Sequence, residues 1–266
     1  VSSTPILGEG THNITANYSG ATGFGASSGT LTQTVDRATT ITGNTFCNTG
    51  KITIPSVLNQ GASVYPSKLF VSGLTGTIQS VTMKINGFTA PRSEDMNLLL
   101  VSPTGLRFIP FAYISDTTPT SAAVIMLDDV ASNLLPNTGA ITSGTYRPTF
   151  DYFGGNTSFQ AATFVTPAPA GPYNEPAPKG SATFASTYGN QNPNGTWTLY
   201  AVNGGGGGPA GLREITNGWC LTINASLPNL TISKTHSGNF TQGQTGAQYT
   251  VTVGSSGPGT TAGTIS

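Results

Sequence analysis

His12, His236, Cys47, Cys220 and a sparse set of carboxylates are the side chains of this sequence whose chemistry could reach beyond packing. A metal site or a general base would draw on the histidines. They stand in different terminal segments, however, and no cluster of ligating residue types surrounds either one. His12 alternates with Ile14, Ala16 and Tyr18, so it reads as one end of a strand face. His236 comes after the run Leu230 to Lys234 and leads into a turn. Both are expected to be ordinary edge or loop histidines. Two cysteines are too few for a metal site and enough for one disulfide.

Two short patterns carry the form of known chemical motifs without their context. Gly25-Ala26-Ser27-Ser28-Gly29 has the spacing of a nucleophile elbow, which needs a strand before it, a helix after it, and Asp and His downstream. The next residues, Leu31 to Val35, read as a strand rather than a helix, so the segment is expected to be a polar loop. Gly206 to Gly211 matches a dinucleotide fingerprint after a strand. That site requires the loop to open a helix whose N-terminus holds the pyrophosphate. Leu212 to Thr222 continues as hairpin and strand instead, so a hairpin loop is expected. No catalytic constellation results, and the chain is read as a non-enzyme.

Composition narrows the classes further. Only 8% of the 266 residues are charged, against roughly 25% in ordinary soluble domains. Ten basic and ten acidic residues cancel, so no basic field exists to attract phosphates and nucleic acid is not an expected partner. A surface so poor in charge has little repulsion to keep copies apart, which suits a protein living in an assembly. Gly (35) and Pro (18) are frequent, and no apolar stretch is long enough to span a bilayer. The chain starts at Val1 without a signal peptide and reads as a processed or trimmed product.

The elements that must position these residues are strands. Apolar side chains alternate with Thr in Tyr249-Thr250-Val251-Thr252-Val253. Val81, Met83 and Ile85 alternate with Thr82 and Lys84, and Trp197, Leu199 and Ala201 alternate with Thr198 and Tyr200. A period of two marks half-buried strands. Turn signals punctuate them at Ser72-Gly73, Asn86-Gly87, Asn194-Gly195 and Asn217-Gly218. Three segments separate: 1–42, 43–226 and, opening with the linker Leu227-Pro228-Asn229, 227–266. The Pro-rich run Pro167 to Pro178 reads as a stiff surface loop between two strands. Sequons occur at Asn13, Asn17, Asn156, Asn194, Asn224 and Asn229, a pattern that a Thr- and Asn-rich chain produces by chance.

The middle segment resembles the P-domain of proprotein convertases, as found in many bacterial secreted proteins. The residues that carry the resemblance are SEDMNLLLVSPTG (93–105), LDD (127–129), LPNTGAITSGTYRP (135–148), NPNGTWTLYAVN (192–203) and NGWCLTI (217–223). The resemblance implies a jelly-roll β-sandwich. Residues 8–35 look like the second half of a bacterial Ig-like repeat, and residues 227–266 like the first half of a conserved repeat of bacterial surface proteins. The expected fold class is therefore all-β: a jelly-roll β-sandwich flanked by partial Ig-like sandwich segments.

Some P-domains bind calcium, an ion that takes about six to eight oxygen ligands. The resemblance makes Asp95, Asp128 and Asp129 candidate calcium ligands, with Glu94 nearby. The family often has acidic residues in the hairpin before its final strand, where this chain has Gly204 to Gly208. The other reading of the acids is turn capping, or pairing with Arg92 and Arg107. In a jelly roll with neighbouring termini, the strands holding Cys47 and Cys220 can be adjacent, and an oxidising compartment would then join them. Two buried free thiols are the alternative.

The function expected from these features is that of a non-catalytic structural subunit or module of an extracellular bacterial fibre, sheath or adhesin. Its partners would be copies of itself, completing the half-modules by strand exchange, or neighbouring modules of a longer chain. The alternative is a glycan- or calcium-binding accessory module of a larger secreted protein, with Tyr113, Tyr152, Phe153 and Tyr173 as candidate aromatic contacts. An accessory domain of a secreted hydrolase is a further variant. No cofactor other than calcium is implied.

Overall fold

The structure, a computed structural model, describes residues 10–114, 118–151, 162–204 and 211–255. The fold is all-β. Among the described residues the helical segments are a 3-10 turn at Ser93–Asp95 and α1 (Phe184–Tyr188). No described helix is long and apolar enough to cross a membrane. The chain divides into two units, Val1–Ala38 and Thr39–Ser266.

In the first unit, β1 (Gly10–Tyr18) and β2 (Ser27–Val35) form an antiparallel two-stranded ribbon. Ser27, Ser28 and Gly29, expected in a polar loop, belong to β2 and pair with Tyr18, Asn17 and Ala16. Cross-strand pairing with the regular β1 pattern outweighs the weak strand propensity of Ser and Gly at these positions.

The second unit carries the sandwich. In chain order its strands are β3 (Thr40–Thr42), β4 (Thr45–Asn48), β5 (Ile52–Thr53), β6 (Ser67–Val71), β7 (Thr77–Ala90), β8 (Met96–Val101), β9 (Arg107–Ala112), β10 (Thr120–Leu127), β11 (Gly144–Tyr146), β12 (Thr149–Phe150), β13 (Gly195–Asn203), β14 (Glu214–Ile215) and β15 (Trp219–Ser226). A second ribbon comes after them, β16 (Leu230–Thr235) with β17 (Thr250–Ser255). The larger sheet runs β11-β10-β7-β15-β4-β3, with β14 pairing β5 and β7. The smaller runs β12-β9-β8-β13-β6. Thr40–Thr42 pair with Thr45–Cys47, so the residues up to 42 do not all go with the first ribbon, and the boundary falls between Ala38 and Thr39.

The core lies between the sheets. From the larger sheet come Val81, Met83, Ile85, Trp219, Leu221 and Ile223; from the smaller, Leu69, Leu98, Leu100, Phe108, Trp197 and Leu199. The smaller sheet is covered on its other face too. Leu99, Ile109, Tyr200 and Val202 pack there with Phe150, Ala162 and Phe164. That is why Met96–Val101 is an unbroken apolar run except for Asn97: both of its faces are buried. Part of the cover is the Pro-rich loop, which docks by backbone pairing. Ile109 N–H donates to the Asn174 carbonyl at 3.0 Å, and Asn174 N–H donates to the Arg107 carbonyl at 3.0 Å. The buried aromatics find partners for their polar atoms. Trp197 Nε1 donates to the Pro193 carbonyl (2.9 Å), Trp219 Nε1 to Ser67 Oγ (2.9 Å) and Tyr188 Oη to the Leu100 carbonyl (2.7 Å).

Asn86-Gly87, expected to be a turn, lies inside the fourteen-residue β7. It forms a bend rather than a reversal. Asn86 N–H donates to the Gly218 carbonyl (2.9 Å) and Asn217 N–H to the Asn86 carbonyl (3.0 Å), so the corner between β14 and β15 locks onto it. Gly87 adopts φ +77° and Gly218 φ +69°, a region open to glycine and strained for residues with a Cβ. At Gly218 a Cβ would also sit 1.9 Å from the Asn48 carbonyl oxygen. The two Asn-Gly pairs thus make one bulged corner that re-aims both strands.

Candidate functional site in the two flanking ribbons

Each ribbon separates its side chains by face. In β1–β2 the directly opposed pairs are Ile14 with Leu31, Ala16 with Gly29, His12 with Gln33 and Tyr18 with Ser27. Opposed residues share a face. The other face carries Thr11, Asn13, Thr15 and Asn17 against Thr34, Thr32, Thr30 and Ser28. Thr32 Oγ1 donates to Asn13 Oδ1 at 3.0 Å across it. In β16–β17 one face holds Leu230, Ile232 and Lys234 against Ser255, Val253 and Val251, and the other only Thr231, Ser233 and Thr235 against Gly254, Thr252 and Thr250.

The apolar faces are open. Ile14 is 42% exposed, Leu31 62%, Ile232 75% and Val253 46%. Each ribbon is a two-stranded sheet, with no third strand among the described residues. A two-stranded hairpin is marginal alone in water, and three or more strands with a covered face are the usual minimum. Exposed apolar strands with unpaired edges invite another strand. Beside β16, the Lys234 ammonium lies 3.7 Å from the centre of the Tyr249 ring. Tyr249 also packs edge-on against Phe240, at 5.0 Å, and against His236, at 5.6 Å. His236 Nδ1 pairs with the Gly238 carbonyl at 2.7 Å, so this histidine serves the ribbon's own turn.

The candidate calcium ligands have other partners. Asp95 is fully buried and accepts from Arg213 through Oδ2, at 2.7 Å from Nη2 and 3.2 Å from Nε. Arg92 stands beside it, with Nε 3.7 Å from Asp95 Oδ1, and pairs with Glu94. Arg107, the other expected partner, donates to the Ala170 carbonyl instead. Asp129 accepts two backbone amides, Phe184 N–H at 3.0 Å and Ala185 N–H at 2.8 Å, at the start of α1. Burial nonetheless pushes its carboxyl above the usual range, the two amides opposing that shift. Asp128 accepts the Val130 N–H at 3.1 Å. Among the described residues no three His, Cys, Asp or Glu side chains form a group that could hold a metal ion. Arg213, which sequence reasoning missed, lies just before β14, and its one signal was a basic residue beside a strand in a chain with few charges.

Of the candidate aromatic contacts, Tyr113 is buried against Phe150 at 5.5 Å. Tyr173 packs on Phe164 and donates to the Pro169 carbonyl at 2.8 Å. Tyr152 and Phe153 lie outside the described residues, as do most of the Gly206–Gly211 pattern and residues 256–266. A half-open cavity of about 260 Å³ lies beside Asp129, lined by Leu134, Arg147, Pro148, Ala182 and Thr183 among others. Cys47 and Cys220 form a disulfide.

No protein-family model matches this sequence, and a comparison with curated proteins finds no match. Among solved structures the chain is similar to a crystal structure of an Aeromonas sobria serine protease in complex with its chaperone. The identity is 16%, the TM-score 0.26, and the alignment covers 65% of this chain and 26% of that chain. This likeness is too distant to show a shared fold or function.

Proposed function

We propose that this chain is a non-catalytic structural subunit or module of an extracellular bacterial fibre, sheath or adhesin. Its body is a P-domain-like sandwich closed by a disulfide, and its flanking ribbons are half-modules completed by strands from outside the single chain. The observation that carries the reading is the pair of amphipathic ribbons, each with an open apolar face and no third strand among the described residues. The charge content of 8% supports it, since little repulsion opposes close packing of copies. The Cys47–Cys220 bond supports an oxidising compartment. The residues of NGTWTLY (194–200) and GWCLTI (218–223) support the P-domain likeness.

Sedimentation velocity over a wide concentration range tests the assembly. Wild-type chain is expected to associate with rising concentration, and Ile232→Asp to associate less. A wild-type chain that stays monomeric at high concentration overturns the subunit form of the reading, in which copies complete one another's ribbons. The cavity beside Asp129 favours a second reading, a ligand-binding accessory module. Calcium titration followed by thermal melting addresses its metal form: a rise in Tm with calcium supports it, and an unchanged Tm removes it.

A further inference from the structure

The cavity beside Asp129 has walls of two kinds. Leu134, Pro148, Ala177 and Ala182 make it largely apolar, and Asp129 and Arg147 are the charged residues that line it. Its volume, about 260 Å³, falls just below the range of drug-sized ligand sites, about 300–1,000 Å³, so a compact body fits it. We infer that this cavity binds a free amino acid with a short apolar side chain, its carboxylate on Arg147 and its ammonium on Asp129. The inference rests on the ligand-binding reading of the cavity and is independent of the structural-subunit reading.

The two charges select the ligand. They line one cavity yet form no ion pair with each other, and Arg147 forms none with any described residue. Arg147 is exposed, while its backbone N–H donates to the Asn133 carbonyl at 2.7 Å and so fixes its place in the wall. The Asp129 carboxyl agrees that the two are apart. A guanidinium close by would pull it down. Burial raises it instead, and what opposes the rise are hydrogen bonds from Ala185, Phe184 and Thr183.

Asp129 is oriented without being used up. Its Oδ1 accepts the Phe184 N–H and its Oδ2 the Ala185 N–H. An ionised carboxylate has about four lone-pair sites, so two remain for an ammonium. Asp128 accepts the Val130 N–H instead, and the described wall carries one acid and one base.

Other ligand classes fit less well. A simple anion on Arg147 would bring a second negative charge towards Asp129, and a simple cation on Asp129 would face Arg147. An uncharged apolar body would strip water from both ionic groups and return no partner to either. An amino acid carries both charges on one carbon and leaves its side chain for the apolar walls. The planar fork of Arg147 suits a carboxylate in particular.

Isothermal titration calorimetry of the full chain with L-leucine tests the assignment. Leucinamide and N-acetyl-leucine, each lacking one of the two charges, are the controls. Wild type is expected to bind one leucine per chain, and each control about tenfold or more weakly. Arg147→Gln, a change at an exposed position, is expected to lose about tenfold or more for leucine, with its Tm unchanged and its affinity for leucinamide kept. If either control binds as tightly as leucine, the charge pair does not recognise the ligand; this inference falls and the ligand-binding reading stands. If Arg147→Gln binds leucine as wild type does, the site lies elsewhere and the inference falls. If wild type binds none of the three at millimolar concentration, the inference falls together with the cavity's case for a ligand-binding module.

Discussion

Cys47 on β4 and Cys220 on β15 stand directly opposite each other across an antiparallel pair, with their Cα atoms 4.0 Å apart. The bond ties the first part of the sandwich to its last strand, across a sequence separation of 173 residues.

Opening this bond is expected to destabilise the sandwich strongly. On the loop-entropy estimate a closure of this length contributes about 5 kcal/mol. Guanidinium unfolding of the oxidised protein and of a Cys47→Ala/Cys220→Ala variant measures the difference. A change below about 1 kcal/mol would show that the unfolded chain gains little freedom when the link is cut.

The Asp95–Arg213 pair predicts a second large effect. Both side chains are buried, so Arg213→Ala leaves the Asp95 carboxylate without its principal counter-charge. Breaking one side of a buried pair costs about 3–5 kcal/mol. The matched double variant Asp95→Asn/Arg213→Met is expected to recover most of that loss. Urea unfolding of both decides it: equal losses in the two would mean that packing of the Arg213 stem, rather than its charge, supports the site.

Asp129 gives a pH signature. Its carboxyl is raised, chiefly by burial, against the pull of the Phe184 and Ala185 amides. A folded-state pKa above the unfolded one means the folded protein holds this proton more tightly. The stability so contributed is complete below the ordinary carboxyl range and is lost as pH rises through the raised value. Asp129→Asn has no such proton. The stability of wild type relative to this variant is therefore expected to fall as pH rises across that window, and to be flat above it. Thermal melts of both proteins in steps of pH measure this; a relative stability that increases with pH contradicts the raised carboxyl.

Much of this architecture was legible from local pattern. The period of two in Tyr249 to Val253 and the turn residues between runs place the chain among all-β folds, because alternation maps one-to-one onto the faces of a strand. The same locality made the apolar faces of both ribbons readable, since a hairpin's faces follow from its own few residues. That the Pro-rich run is a loop was visible for a like reason, proline having no N–H for a sheet interior, but it leads into α1 rather than a second strand, and Asn174 within it pairs with the backbone of β9.

The remainder depends on register between distant strands. Asn86-Gly87 has the composition of a turn, yet the corner at Thr216 to Gly218 supplies backbone partners that hold it as a bend within β7. Asp95 has the look of an ion ligand at a strand end; a guanidinium delivered from just before β14 fills that place. Asp129 has the look of its companion, and the chain path brings the first amides of α1 to it instead. Whether two cysteines can pair is a matter of which strands become neighbours, and only the β4–β15 register answers that. A side chain's face is written in its immediate neighbours, whereas its partner across the fold is set by the whole path of the chain between them.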